Sequence, residues 1–292
     1  MAVDRIPGQQ WYTPYLFALP ALALFGVFFV WPAFTAVQLS FMEYDVVSPP
    51  EFVGVDNFVR LVGDPKFWTA TLNSVLFLIG LFPLLVVAPL LLAVLVNQKL
   101  PGIRTFRMLY YLPVVTSMVA VAVAWEYVFH QQGVLNWILT GAGLLDQPIQ
   151  YLLDPFWALP ALILVEGWKS MGFYMMIYLA GLQTIDSSLY EAARVDGASA
   201  WDRLRRITVP LMVPYIAVAI TMEMLDAMQA FTSVYVMTRG GPQDATLTLG
   251  YYIWSAGFEH YDMGYASAVG LVLWVVMIAM AMLNYRITRG RA

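Results

Sequence analysis

The chain has 292 residues, of which 61% are hydrophobic and only 12% charged, and its mean hydropathy is +0.70. Soluble domains carry about 45–50% apolar and about 25% charged residues, so a water-soluble core cannot hold this excess. The formal net charge of −4 gives no basic surface for nucleic acid, and with no cysteine the chain has neither disulfides nor Cys-ligated metal or redox centres.

In chain order the apolar runs fall at 15–38, 69–96, 108–129, 157–182, 211–237 and 264–285. Each exceeds the 9–11 residues or so of a barrel strand and approaches the roughly 20 of a helical span, and only a helix satisfies its own backbone in lipid. The expected fold class is therefore an all-α membrane protein with six transmembrane helices. The first run is too long for the core of a signal peptide, about 7–15 residues, and is read as a retained span peripheral to the other five. Pro83, Pro89, Gly167, Gly172 and Gly181 lie inside spans and are read as kinks and close-packing points. Trp11, Tyr12, Tyr110, Tyr111, Trp157 and Tyr285 fall near span ends, where aromatic rings anchor to the interface.

The segments between spans must alternate sides. Eleven of the fifteen Lys and Arg residues lie in the two termini, 97–107 and 183–210; Arg60, Lys66 and Arg239 lie in the opposite set, and Lys169 lies inside a span. The positive-inside rule then places both termini in the cytoplasm of a multi-pass cell-membrane protein. The expected organisation is a cytoplasmic N-terminus at 1–14, a first helix at 15–38, a five-helix core at 69–285 and a cytoplasmic tail at 286–292.

A charge at the bilayer centre costs about 2.5–3.5 kcal/mol on insertion scales, so Glu126, Glu166, Lys169, Glu223 and Asp226 need partners or water. Glu166 and Lys169, three apart on one helix, suggest a local ion pair. Glu223, Asp226, Gln229 and Ser233 form a polar stripe that faces either a cavity or a partner helix. In the first case Glu223, Asp226 and Gln229, with the rings of Trp168, Phe173, Phe231 and Tyr235, are candidates for a substrate path. In the second they make structural contacts between helices. His130 and His260 stand far apart and give no metal site, and no phosphate cradle or nucleophile elbow is found, so the chain is not read as an enzyme.

The loop at 187–210 is more than a connector. Ser187 or Ser188 is expected to cap a short helix that Gly197 ends in a left-handed conformation. A second amphipathic turn runs from Ser199 through Trp201, Leu204 and Ile207, with Arg203, Arg205 and Arg206 on its basic face, before Pro210 opens the next span. These residues alone describe either a projecting knob or a helix lying on anionic headgroups.

Glu191-Ala192-Ala193, three residues, Gly197, nine residues, Ile207, one residue, Val209 and Pro210 resemble the EAA loop of binding-protein-dependent ABC importer permeases, EAA-x3-G-x9-I-x-L-P, with Val209 in place of Leu. The segments 52–58, 106–113, 181–183, 238–242 and 264–268 also resemble the carbohydrate-uptake branch, in its MalF/UgpA-like half. The resemblance implies the type I importer permease (MetI-like) fold. It makes Glu191, Ala192, Ala193, Asp196, Gly197, Ile207 and Pro210 the loop that couples to a cytoplasmic ATPase. It also implies a MalG/UgpE-like second permease, two ATPase subunits that bind the ATP and Mg, and an extracytoplasmic solute-binding protein. This chain itself would bind no cofactor, and its solute would be a sugar or a related polyol or glycerol-phosphate. Gly240, Gly241 and Pro242 are candidates for a periplasmic gate or binding-protein contact. The alternative is an ion-coupled secondary transporter, whose intramembrane acids would carry the coupling.

Overall fold

The computed structural model describes residues 12–98 and 101–289. The expected anchor Trp11 and the outermost residues of both termini lie outside this range. The helices are α1 (Tyr15–Leu39), α2 (Asp56–Gly63), α3 (Pro65–Val96), α4 (Ile103–Val115), α5 (Met118–Phe129), α6 (Val134–Gly141) and α7 (Pro155–Leu182). They continue as α8 (Ser187–Val195), α9 (Ala200–Leu211), α10 (Val213–Met228), α11 (Thr232–Met237), α12 (Leu249–Trp254) and α13 (Met263–Arg289). A small antiparallel hairpin pairs β1 (Met42–Glu43) with β2 (Glu51–Phe52).

Among the described residues three helices, α1, α3 and α13, are long and apolar enough to cross a bilayer unbroken. Two bent pairs reach the same length and apolarity when each is taken as one span, α4 with α5–α6 at 100° and α9 with α10–α11 at 69°. The third and fifth spans are thus broken, where the sequence suggested continuous helices. In the third, Pro113 removes a backbone donor and α4 stops at Val115, with Thr116 extended. In the fifth the 69° bend falls at Met212, between α9 and α10; farther on, Gln229 to Phe231 leave helical geometry, and the freed carbonyl of Ala230 accepts from the Thr248 hydroxyl at 2.6 Å. Irregular backbone at membrane depth survives only when protein groups satisfy it in this way. The expected fourth span falls on α7, whose 28 residues exceed the roughly 20 a crossing requires, while Glu166 and Lys169 dilute its apolar character.

Helix α7 is the centre of the bundle. Leu162, Val165, Tyr174, Met175 and Tyr178 on it are almost wholly buried, and it packs against α3, α4, α5, α10 and α11. Lipid offers no hydrophobic drive for helices to associate, so close van der Waals approach must do this work. Glycines provide it. A Cβ on Gly167 would stand 2.5 Å from Leu84, one on Gly172 2.1 Å from the Tyr110 carbonyl oxygen, and one on Gly181 2.6 Å from the Tyr215 ring. The expectation that these glycines are close-packing points holds at all three. Pro83 opens a single wide turn, Pro83–Val87, which absorbs the missing hydrogen bond without ending α3. Helix α1 is peripheral: none of its apolar window is buried, and its second half leans on α13.

The two ends of the bundle can be told apart. Asn284 near the end of α13 donates to the Ala217 carbonyl and the Thr221 hydroxyl at the start of α10, which places it at the end carrying the 187–210 loop. Tyr265, at the start of α13, is about 30 Å away along the helix axis. At that far end Asp64 caps α3 by accepting from the backbone of Lys66 at 2.9 Å, and it also accepts from the hydroxyls of Tyr252 and Tyr265, the latter at 2.6 Å. Beside it Arg60 pairs with Asp262 at 2.5 Å and lies 4.1 Å over the Tyr265 ring. This clamp joins α2, α3, α12 and α13.

Partial burial pushes the Asp64 carboxyl up, but the bonds from Tyr252, Tyr265 and the backbone of Lys66 and Phe67 outweigh it and hold the group below its ordinary value. A carboxyl that ionises more readily in the folded chain stabilises the fold fully above the unfolded value, about pH 4, and less as pH falls through its own lower value. Asp64→Asn should therefore lower the melting temperature of the detergent-solubilised protein at neutral pH. That deficit should stay constant down to about pH 4 and shrink below it.

Candidate coupling loop and translocation path

Asp186, not Ser187 or Ser188, caps α8. Its carboxylate accepts from the Ser188 backbone at 2.9 Å, which holds it below the usual carboxylate range. The helix ends as the sequence suggests: Gly197 has φ +77°, and the Ala198 amide reaches back to the Ala193 carbonyl at 2.8 Å. Ser199 caps α9, and the Tyr190 and Thr208 hydroxyls meet at 2.9 Å across the elbow, tying α8 to the root of the fifth span. Arg203 closes the turn on the Ala198 carbonyl at 2.8 Å.

The elbow is therefore built rigidly, yet almost nothing covers it. No residue of α8 is buried. Glu191, Ala192, Asp196 and Gly197 are exposed, while Ala193 and Ile207 are half-buried and Pro210 is exposed at the root. Val195 is 89% exposed and Trp201 67% exposed, two apolar side chains with no cover in a polar loop. A Cβ on Gly197 would meet nothing within 4 Å, so its backbone conformation and not crowding requires the glycine.

At membrane depth the structure rearranges the predicted partners. Glu166 accepts from the Ser233 hydroxyl at 2.7 Å, and no ion pair joins it to Lys169. The stripe is also split, because Gln229 stands at the break between α10 and α11. Glu223 is fully buried and neither of its oxygens has a hydrogen-bond partner among the described residues. It faces no open surface in this packing. Asp226 and Gln229 are exposed, with the Tyr174 hydroxyl 3.4 Å from Asp226. Trp168 is exposed and meets Trp125 edge-on at 5.5 Å. Phe173 is half-buried against Tyr174. Phe231 and Tyr235 stack at 5.2 Å and join Tyr251 and Trp254 in one aromatic cluster.

The segment holding Gly240, Gly241 and Pro242 belongs to the far end. Gly240 has φ +81° and is buried, and Gly241-Pro242 is a cis peptide. Asn73 of α3 donates to the carbonyls of Asp244 and Leu247 at 2.8 and 3.1 Å, and Ser74 accepts from the Leu249 amide at 2.9 Å. The loop is thus stapled to α3. No local pattern announces these staples or the Asp64 clamp, because the partners are more than 170 positions apart and nothing periodic relates them.

The family described as "Binding-protein-dependent transport system inner membrane component" matches residues 61–291. The chain is 36% identical to the lactose transport system permease protein LacF of Rhizobium radiobacter, over 95% of this chain and 94% of that protein. It superposes on a chain of a bacterial ABC transporter that imports the acidic polysaccharide alginate, with TM-score 0.82 and 28% identity over 95% of each. The methionine ABC transporter MetNI shares the fold at TM-score 0.55 and 16% identity, over 81% of this chain and 99% of that one. The type I importer permease fold is therefore present, and dependence on a binding protein sets aside the ion-coupled alternative. The chain belongs to the family of inner-membrane components of binding-protein-dependent transport systems.

Proposed function

We propose that this chain is the MalF/UgpA-like permease subunit of an ATP-driven carbohydrate importer. It would form half of the pathway beside a MalG/UgpE-like partner and take its power from two ATPase subunits. The observation that carries this reading is the elbow at Gly197: a rigid knob with the spacing of a coupling loop and two uncovered apolar side chains, Val195 and Trp201. Residues 187–210 then face the cytoplasm, as do both termini, and the Asp64 clamp faces outward, in agreement with the distribution of Lys and Arg. Residues 69–285 form the core that moves, with 15–38 as a peripheral helix.

ATP binding draws the two ATPase subunits together, and the differential affinity of nucleotide for the closed state shifts the bundle from one packing to another. The Tyr190–Thr208 bond carries displacement of α8 into the fifth span, and Met212 and the break at 116–117 are where that span and the third change direction. Asp226, Gln229, Trp168 and Tyr235, exposed in the chain alone, are the groups we assign to the solute path. Carboxylates, amides and aromatic faces suit sugar hydroxyls. A carbohydrate is the cargo named for the lactose and alginate relatives, and the predicted spans hold one Lys or Arg, Lys169, which is a poor lining for a phosphate.

Gly197→Pro forbids the left-handed turn and should abolish ATP-driven uptake in proteoliposomes while the complex still assembles. Wild-type uptake by an assembled Gly197→Pro complex would remove the loop from the coupling route. Asp226→Ala with Gln229→Ala should leave assembly and basal ATPase rate intact and raise the solute concentration for half-maximal uptake several-fold. Unaltered concentration dependence would take these residues off the path.

A further inference from the structure

Arg60, Lys66 and Arg239 are the only cations that the sequence places opposite the coupling loop, and they come from distant segments. The fold brings all three to one pocket of about 620 Å³ at the far end of the bundle, over Tyr251, Tyr252 and Tyr265. Their states differ. Arg60 is committed to Asp262 and to the Tyr265 ring. Lys66 and Arg239 are exposed and make no ion pair among the described residues.

The lining carboxylates are mostly engaged. Asp64 takes two tyrosine hydroxyls, Asp262 takes Arg60, and Glu259 accepts from the Ser255 hydroxyl at 2.5 Å. The side chain of Asp244 alone among them has no bond among the described residues. The backbone around the pocket is held in an uncommon conformation. Arg239, Gln243, Asp244 and Tyr261 have φ between +50° and +60°, in two turns that border it. Non-glycine residues keep such angles only where their surroundings over-determine them, and such positions gather at binding sites. Here the staples from Asn73 and Ser74 fix the turn that carries Arg239, so its charge is presented in a set place before any partner arrives.

We infer that this pocket receives the extracytoplasmic binding protein, with an acidic side chain of that protein engaging Lys66 and Arg239. The inference rests on the importer reading and deepens it by naming the contact. A free anionic solute fits less well, because the unengaged Asp244 carboxylate that shares the lining with Lys66 and Arg239 needs a donor that a simple anion does not bring. A protein surface can offer an acid to Lys66 and Arg239 and a donor to Asp244 at the same time, and such complementarity acts mainly on encounter and orientation.

The test uses the assembled transporter in proteoliposomes with its own binding protein, loaded with solute and titrated. Lys66→Glu with Arg239→Glu should raise the half-saturating concentration of binding protein about tenfold or more and leave the rate at saturation unchanged. Lys66→Gln with Arg239→Gln should give a smaller rise that fades at high salt, and an acid-to-lysine change on the binding protein's docking face should rescue the Glu pair. A wild-type transporter that responds to the binding protein while the Glu pair leaves half-saturation unmoved overturns the pocket alone. So does an altered solute preference with unmoved half-saturation, which would make it a solute subsite. A wild-type transporter indifferent to its binding protein overturns the importer reading and the pocket with it.

Discussion

Helix α7 meets its neighbours at distances that only glycine allows. At Gly172 the α4 backbone itself, the carbonyl of Tyr110, occupies the place a methyl group would take, and at Gly167 and Gly181 side chains of α3 and of the root of the fifth span do so. In a solvent as apolar as the protein, this closeness is what distinguishes the packed bundle from separate helices. The rest of the fold is arranged around it. The broken third span crosses α7 at Gly172, the bent root of the fifth span crosses it at Gly181, and α3 runs alongside it past Gly167 and Gly80, where a Cβ would press on Ile163. Interfaces this tight change by switching between packings and not by gradual deformation, which suits a bundle that must hold two states.

Each end of the bundle is specialised by polar chemistry that the centre lacks. At one end a capped, left-handed elbow projects α8 with nothing over it. At the other, Asp64, Arg60, Asp262 and two tyrosines bind α2, α3, α12 and α13 into one block, and Asn73 staples the 239–247 turn to it. In the proposed coupling, the route from the elbow to that block runs through α10, whose start is held by Asn284 of α13. The fully buried Glu223 lies on this route, without a partner for either oxygen.

The apolar runs of the sequence coincide with the three unbroken membrane-length helices and the two bent pairs among the described residues, because a bilayer imposes a length that composition reveals. The Gly197 turn was readable for the same kind of reason: one residue type serves one backbone conformation. The breaks at 116–117 and 229–231 were not readable, since a span that unwinds inside protein keeps its apolar composition, and the groups that satisfy it, such as Thr248, lie far along the chain. The Glu166–Lys169 pair failed because spacing on one helix said nothing of Ser233, which reached Glu166 from another. Asp186 displaced Ser187 and Ser188 as the cap because a carboxylate one residue earlier competes for the same amides. The Asp64 clamp, with partners about 190 to 200 positions away, leaves no local pattern at all.

If the exposed elbow is a seat for another subunit, assembly must shield it from solvent, and the chain offers a direct measurement. It contains no cysteine, so Val195→Cys supplies a single thiol at a position of α8 that is 89% exposed. In the purified chain that thiol should react rapidly with a water-soluble maleimide, and in the transporter assembled with its ATPase subunits it should react at least about tenfold more slowly. Equal rates in the two would show that nothing docks on the elbow.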